Sequence, residues 1–164
     1  MSLAHIAQAA DHQQIGWLGG GTLSVLLDAA TTGGQLTVVR SQLPAGSASP
    51  LHLHRREDEM FVLLKGRGLF HVGDEVHEVG EGGAVFLPRD VPHAYRFLTE
   101  DVDFLTLCTP SGIEGFFRAA GHDLAEPAPP GGWQITLQDL AAAAVAGGQE
   151  ILGPPPPLPD HLAG

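Results

Sequence analysis

Two histidines one residue apart, His52 and His54, are followed five positions later by a carboxylate, Glu59, within "PLHLHRREDEMFVLLKGRG", residues 50–68. On a strand, side chains at i and i+2 leave the same face with Cα atoms about 6.5 Å apart. Two imidazoles so placed can converge on one ion. Glu59 lies an odd number of residues beyond His54, so in one continuous strand it would face away from the histidines. A break is therefore required between them. Arg55, Arg56, Glu57 and Asp58 supply it, because four consecutive charged residues suit a solvated bend and are not expected to be buried. Glu59 then opens a second strand that returns beside the first.

The elements that must hold these residues are short and apolar. "TLSVLLDA" and "QLTVVRSQL" read as strands around a "TTGG" turn. "EMFVLLKG", "GLFHV", "EVHEV", "GAVFLP", "HAYRFL" and "VDFLTLCT" are further strand-like runs, and Gly73-Asp74 marks a hairpin between two of them. Short strands at this spacing predict a sandwich or barrel. Beyond them, Ser111 and Glu114 match a capping box for a helix closed by Gly121, and Thr136 caps an alanine-rich helix stopped by Gly147 and Gly148. The expected organisation is a weakly ordered segment over 1–14, a β-barrel over 15–110, a helical segment over 111–148 and a proline-rich tail over 149–164.

The chain has 164 residues, enough for one domain with a complete core. Eight Lys and Arg against nineteen Asp and Glu give a net charge of −11, and no Lys or Arg precedes Arg40. That balance excludes nucleic-acid binding through phosphate contacts. No basic leader and no apolar run of membrane length is found, so a cytoplasmic protein with no membrane partner is expected. The single cysteine, Cys108, lies in an apolar run and reads as a core residue. "MFVLL" is apolar on both faces, so its outer face needs a cover, and a homodimer is the expected one.

With the strands placed, Gly46 to Gly66 spells G-x5-H-x-H-x4-E-x6-G, which resembles the first motif of the cupin superfamily position for position. "GGAVFLPRDVPHAYRF", Gly82 to Phe97, resembles the second, G-x5-P-x-G-x2-H-x3-N, with Gly82, Pro88 and His93 in register. Asp90 stands where the family has glycine and Phe97 where it has asparagine. Asp tolerates turn and left-handed backbone, so the ligand placement survives the first change.

The resemblance implies an all-β fold, a cupin-type jelly-roll β-barrel with short C-terminal helices. It implies His52, His54, Glu59 and His93 as ligands of one divalent transition metal ion, and such a donor set suits Fe, Mn, Ni, Cu, Co or Zn. It is also similar to the small single-domain cupins labelled quercetin-dioxygenase-like. In that reading the protein is a dioxygenase for a small phenolic, enolic or dicarbonyl compound, with Glu59 as both ligand and catalytic base. Phe61 shares the parity of Glu59, and Tyr95 and Phe97 share that of His93, so these three are expected to line a substrate pocket. The alternatives are a non-oxidative isomerase, cyclase or decarboxylase using the same ion, and a non-catalytic small-molecule binding module.

Overall fold

A computed structural model describes residues 4–162. The ends of the expected terminal segments, residues 1–3 and 163–164, lie outside the described residues. The chain runs through β1 (Gln13–Trp17), β2 (Gly21–Leu27), a one-turn helix α1 (Ala29–Thr32), β3 (Thr37–Leu43), β4 (Leu51–His54), β5 (Asp58–Lys65) and β6 (Gly68–Val72). It continues through β7 (Glu75–Val79), β8 (Ala84–Leu87), β9 (His93–Phe97), β10 (Val102–Thr109), α2 (Ile113–Ala120), β11 (His122–Asp123), α3 (Leu137–Ala146) and β12 (Gln149–Gly153).

All strand pairs are antiparallel and form two sheets, ordered β11-β1-β2-β3-β10-β5-β8 and β12-β4-β9-β6-β7. The six runs predicted from "EMFVLLKG" to "VDFLTLCT" are β5 to β10. Their alternation decides what lies between the sheets. From one sheet Leu23, Val39, Leu63 and Phe104 point inward; from the other come Phe70 and Phe97, and all six are at most 2% exposed. This is the all-β jelly-roll arrangement that the resemblance implies, with α2 and α3 following β10 as expected, although α1 lies between β2 and β3 and the strands β11 and β12 follow α2 and α3. Among the described residues no helix is long and apolar enough to cross a membrane.

Tight turns set the register. Gly66 links β5 to β6 with φ 89°, and a Cβ there would meet Thr99 Oγ1 at 2.6 Å, so only glycine fits. Asp90, at the family's glycine position, has φ 65°, the left-handed conformation that Asp tolerates.

Three expectations change. Ser111 does not cap α2: the N-cap is Gly112 at φ 144°, without a side-chain cap. Glu114 is instead 4% exposed and accepts hydrogen bonds from the backbone amides of Ala29 and Gly112 and from the Thr37 hydroxyl. Gln149–Gly153, assigned to the tail, is a strand on the free edge of β4. Glu57, assigned to a solvated bend, is 2% exposed. The bend itself is present at Arg55–Glu57, and Arg55 and Arg56 are exposed as expected.

Candidate metal centre

β4 and β9 are neighbours in the smaller sheet, paired at His52 opposite His93. Because His54 follows at i+2, all three imidazoles lie on the inner face, with ring centroids 4.4 to 5.3 Å apart. Glu59 comes from the facing sheet, on β5. Its Oε2 lies 3.3 Å from His54 Nε2 and 3.2 Å from His93 Nε2. The ligand-capable atoms of His52, His54, Glu59 and His93 fall within 4.8 Å of one another, and all four residues are buried. The spacing argument and the resemblance thus select residues that the fold brings together.

Each ring is turned the same way. His52 Nδ1 is 2.8 Å from the Pro50 carbonyl oxygen and His93 Nδ1 is 2.9 Å from that of Val91. A carbonyl can only accept, so both Nδ1 atoms carry the proton and donate, which leaves Nε2 as the lone pair. His54 Nδ1 faces the Glu57 carboxylate at 2.6 Å. His54 Nε2 and His93 Nε2 are buried and make no hydrogen bond, each facing Glu59 Oε2 at 3.3 and 3.2 Å respectively. Buried polar atoms are ordinarily satisfied, so two orphaned imidazole nitrogens beside a carboxylate fit a cation between them. The donor set, three nitrogens and a carboxylate oxygen, suits a first-row divalent ion.

The electrostatics are those of two buried carboxylates that draw positive charge toward the imidazoles. Burial lowers His52 to about 4, with His93 adding to the shift. For His54, burial works against the charged form, but Glu59 and Glu57 prevail and raise it to about 10. Burial would raise Glu59, yet His54 and His93 hold it well below the usual carboxylate range. Burial pushes the Cys108 thiol well above its ordinary value, as befits a core residue 1% exposed.

The three aromatics expected in a pocket occupy one cluster. Tyr95 lies 4.8 Å from Phe97 and 5.6 Å from Phe61 between ring centroids. Phe61 and Phe97, at 3% and 1% exposure, pack with Phe104 as core. Tyr95 is only half-buried. Burial and the Glu59 charge push its phenol above the ordinary range. The residue that sequence reasoning missed is Glu57. Its signal was its position three residues after His54, obscured by the charged run around it.

Residues 39–109 match the family described as cupin domain. These residues are a cupin domain. His52 and His54 of the first motif, His93 of the second and Glu59 on β5 fall inside the match. An uncharacterized protein of Methanocaldococcus jannaschii is 37% identical over 51 residues, 31% of this chain and 41% of that protein. Quercetin 2,3-dioxygenase of Bacillus subtilis is 28% identical over 90 residues, 55% of this chain and 27% of the enzyme. The chain thus spans less than half the length of either relative. In fold, it is similar to KdgF from Halomonas sp., with a TM-score of 0.59 at 18% identity, covering 66% of this chain and 94% of that one. It is also similar to oxalate decarboxylase from Bacillus subtilis, with a TM-score of 0.54 at 23% identity, over 68% of this chain and 30% of the enzyme.

Proposed function

We propose that this cupin is a mononuclear metal-dependent dioxygenase acting on a small phenolic, enolic or dicarbonyl compound, with His52, His54, Glu59 and His93 holding one divalent transition metal ion. The observation that carries the reading is the pair of buried, unpartnered Nε2 atoms facing Glu59. The similarity of 55% of the chain to a quercetin 2,3-dioxygenase supports the oxidative chemistry. When bound, a redox-active ion supplies Lewis acidity toward a substrate oxygen and the electron chemistry that O2 requires.

The chain's own residues do the rest. Glu59 accepts the substrate's hydroxyl proton at a carboxylate oxygen. A phenol or enol hydroxyl gives up its proton to a carboxylate more readily than a simple alcohol does, which favours these compounds. Tyr95, the half-buried member of the aromatic cluster, meets the substrate ring. Phe61 and Phe97 behind it exclude water. We also propose that the partner covering the outer face of β5 is a second copy of this chain.

The test is elemental analysis of tag-free protein never exposed to a nickel column, followed by O2 uptake with a panel of such compounds. Near-stoichiometric Fe, Mn, Ni or Cu and substrate-dependent O2 consumption are expected. Turnover that survives strict anaerobiosis moves the assignment to a non-oxidative isomerase, cyclase or decarboxylase, and metal without turnover moves it to a binding module.

A further inference from the structure

We propose that Glu57 is a positioning residue of the metal centre: its carboxylate fixes His54 with Nε2 toward the ion and supplies the second buried negative charge that a divalent cation needs. The inference rests on the metal-binding reading of the four ligands and adds a fifth residue outside that set.

The geometry is specific. Glu57 sits at the bend between β4 and β5, and both its side chain and that of His54 are 2% exposed. Its Oε1 lies 2.6 Å from His54 Nδ1. Among the described residues, His54 is the only ion-pair partner of Glu57. The neighbouring cations are engaged elsewhere: Arg55 binds Asp90 and Glu150, Arg56 reaches the Ala146 carbonyl, and Arg89, near enough to feel the Glu57 charge, binds Asp58. A carboxylate buried without an Arg or Lys must find its compensation inside, and the direction it faces is toward the metal cluster.

The three imidazoles are therefore not equivalent. His52 and His93 are oriented by neutral carbonyls, whereas His54 is oriented by an anion. A carboxylate on the far nitrogen fixes the tautomer and ring plane and makes the near nitrogen a stronger donor. Charge counting points the same way. Glu59 alone leaves a divalent ion with one uncompensated positive charge in a buried site; Glu59 and Glu57 together neutralise it. The backbone braces the same residue, since the His54 carbonyl accepts from the Asp90 amide and the following Arg55 amide donates to the Gly148 carbonyl. His54 is thus held by its ring and by its main chain.

The test compares full-length wild type, Glu57→Gln and Glu57→Ala by competition of Zn2+ and Co2+ against a chromophoric chelator. Glu57→Gln keeps the size and an acceptor but not the charge. About 10- to 100-fold weaker binding is expected for both variants, together with a changed Co2+ visible spectrum in Glu57→Gln and an unchanged far-UV CD spectrum before metal is added. Binding within twofold of wild type in Glu57→Gln, with the same Co2+ spectrum, overturns the inference alone. Wild type that binds neither ion overturns it together with the reading beneath it. Nitrogen-15 NMR of Zn2+-loaded wild type adds a measurement that needs no variant: His54 protonated at Nδ1 and ligated through Nε2 is expected. Ligation through Nδ1, or no ligation by His54, overturns the proposal.

Discussion

Removing one imidazole from the cluster takes away a bond to the ion itself, whereas removing an outer partner only loosens one. His93→Ala should therefore weaken Zn2+ binding by more than the roughly 10- to 100-fold typical of an outer-shell residue, as measured by the same chelator competition. An equal or smaller loss would mean that His93 is not a ligand. His52 and His54 were legible as a pair because strand parity is a rigid rule, and the bend before Glu59 was legible from the charged run. Glu57 was not. Its neighbours Arg55 and Arg56 are exposed, and nothing local distinguishes it from them. What buries it is His54 Nδ1, a partner whose orientation only the folded bend reveals. Asp90 is the opposite case, since its φ of 65° is what its substitution for a motif glycine implies.

Glu114 ties three elements together, and its removal tests how far they depend on one another. It sits in the first turn of α2 and accepts from the Ala29 amide at the start of α1 at 2.9 Å, from the Gly112 amide at 2.9 Å and from Thr37 on β3. Replacing it by alanine strands the Ala29 amide and the Thr37 hydroxyl, while the Gly112 amide keeps Thr37 Oγ1 as an acceptor, for an expected destabilisation of about 2–4 kcal/mol in denaturant unfolding. Burial would raise its carboxyl, but these hydrogen bonds outweigh burial and hold it below its ordinary 4.5. A folded-state value below the unfolded one gives stability that is present above pH 4.5 and lost as pH falls through the folded value. Glu114→Gln should accordingly show a shallower acid limb than wild type; parallel pH profiles would remove Glu114 from the account. The capping-box reading failed here because the residues that capture Glu114 lie 77 and 85 positions away in the chain. β12 was hidden for a related reason. "QEILG" between glycines and prolines carries too short an alternation to announce a strand, and it becomes one because β4 offers an edge.

The exposed surface of the larger sheet decides how the whole molecule meets its neighbours. β8 is an edge strand of that sheet, and its Phe86, paired with Met60 on β5, points away from the core and is 61% exposed. Leu64 adds 41% exposure on the same outer face, where Met60, Val62, Leu105 and Leu107 are only partly covered. The charges that border this face are paired, Arg40 with Asp103 and Arg89 with Asp58, so in a chain of net charge −11 it is where two copies approach with the least repulsion. A two-fold pairing through it would place each Phe86 against the partner's copy of the same patch, and a stable dimer needs about 800 Å² from each side. The expected result is twice the chain mass in light scattering at micromolar concentration, with the dimer strengthened by added salt as the net charges are screened. Phe86→Glu brings like charges together at the contact and should give monomer. It should leave Zn2+ affinity unchanged, because its neighbour Leu87, opposite Glu59, takes the inward position on β8. Wild type that stays monomeric across that range would leave the apolar face without the cover assigned to it.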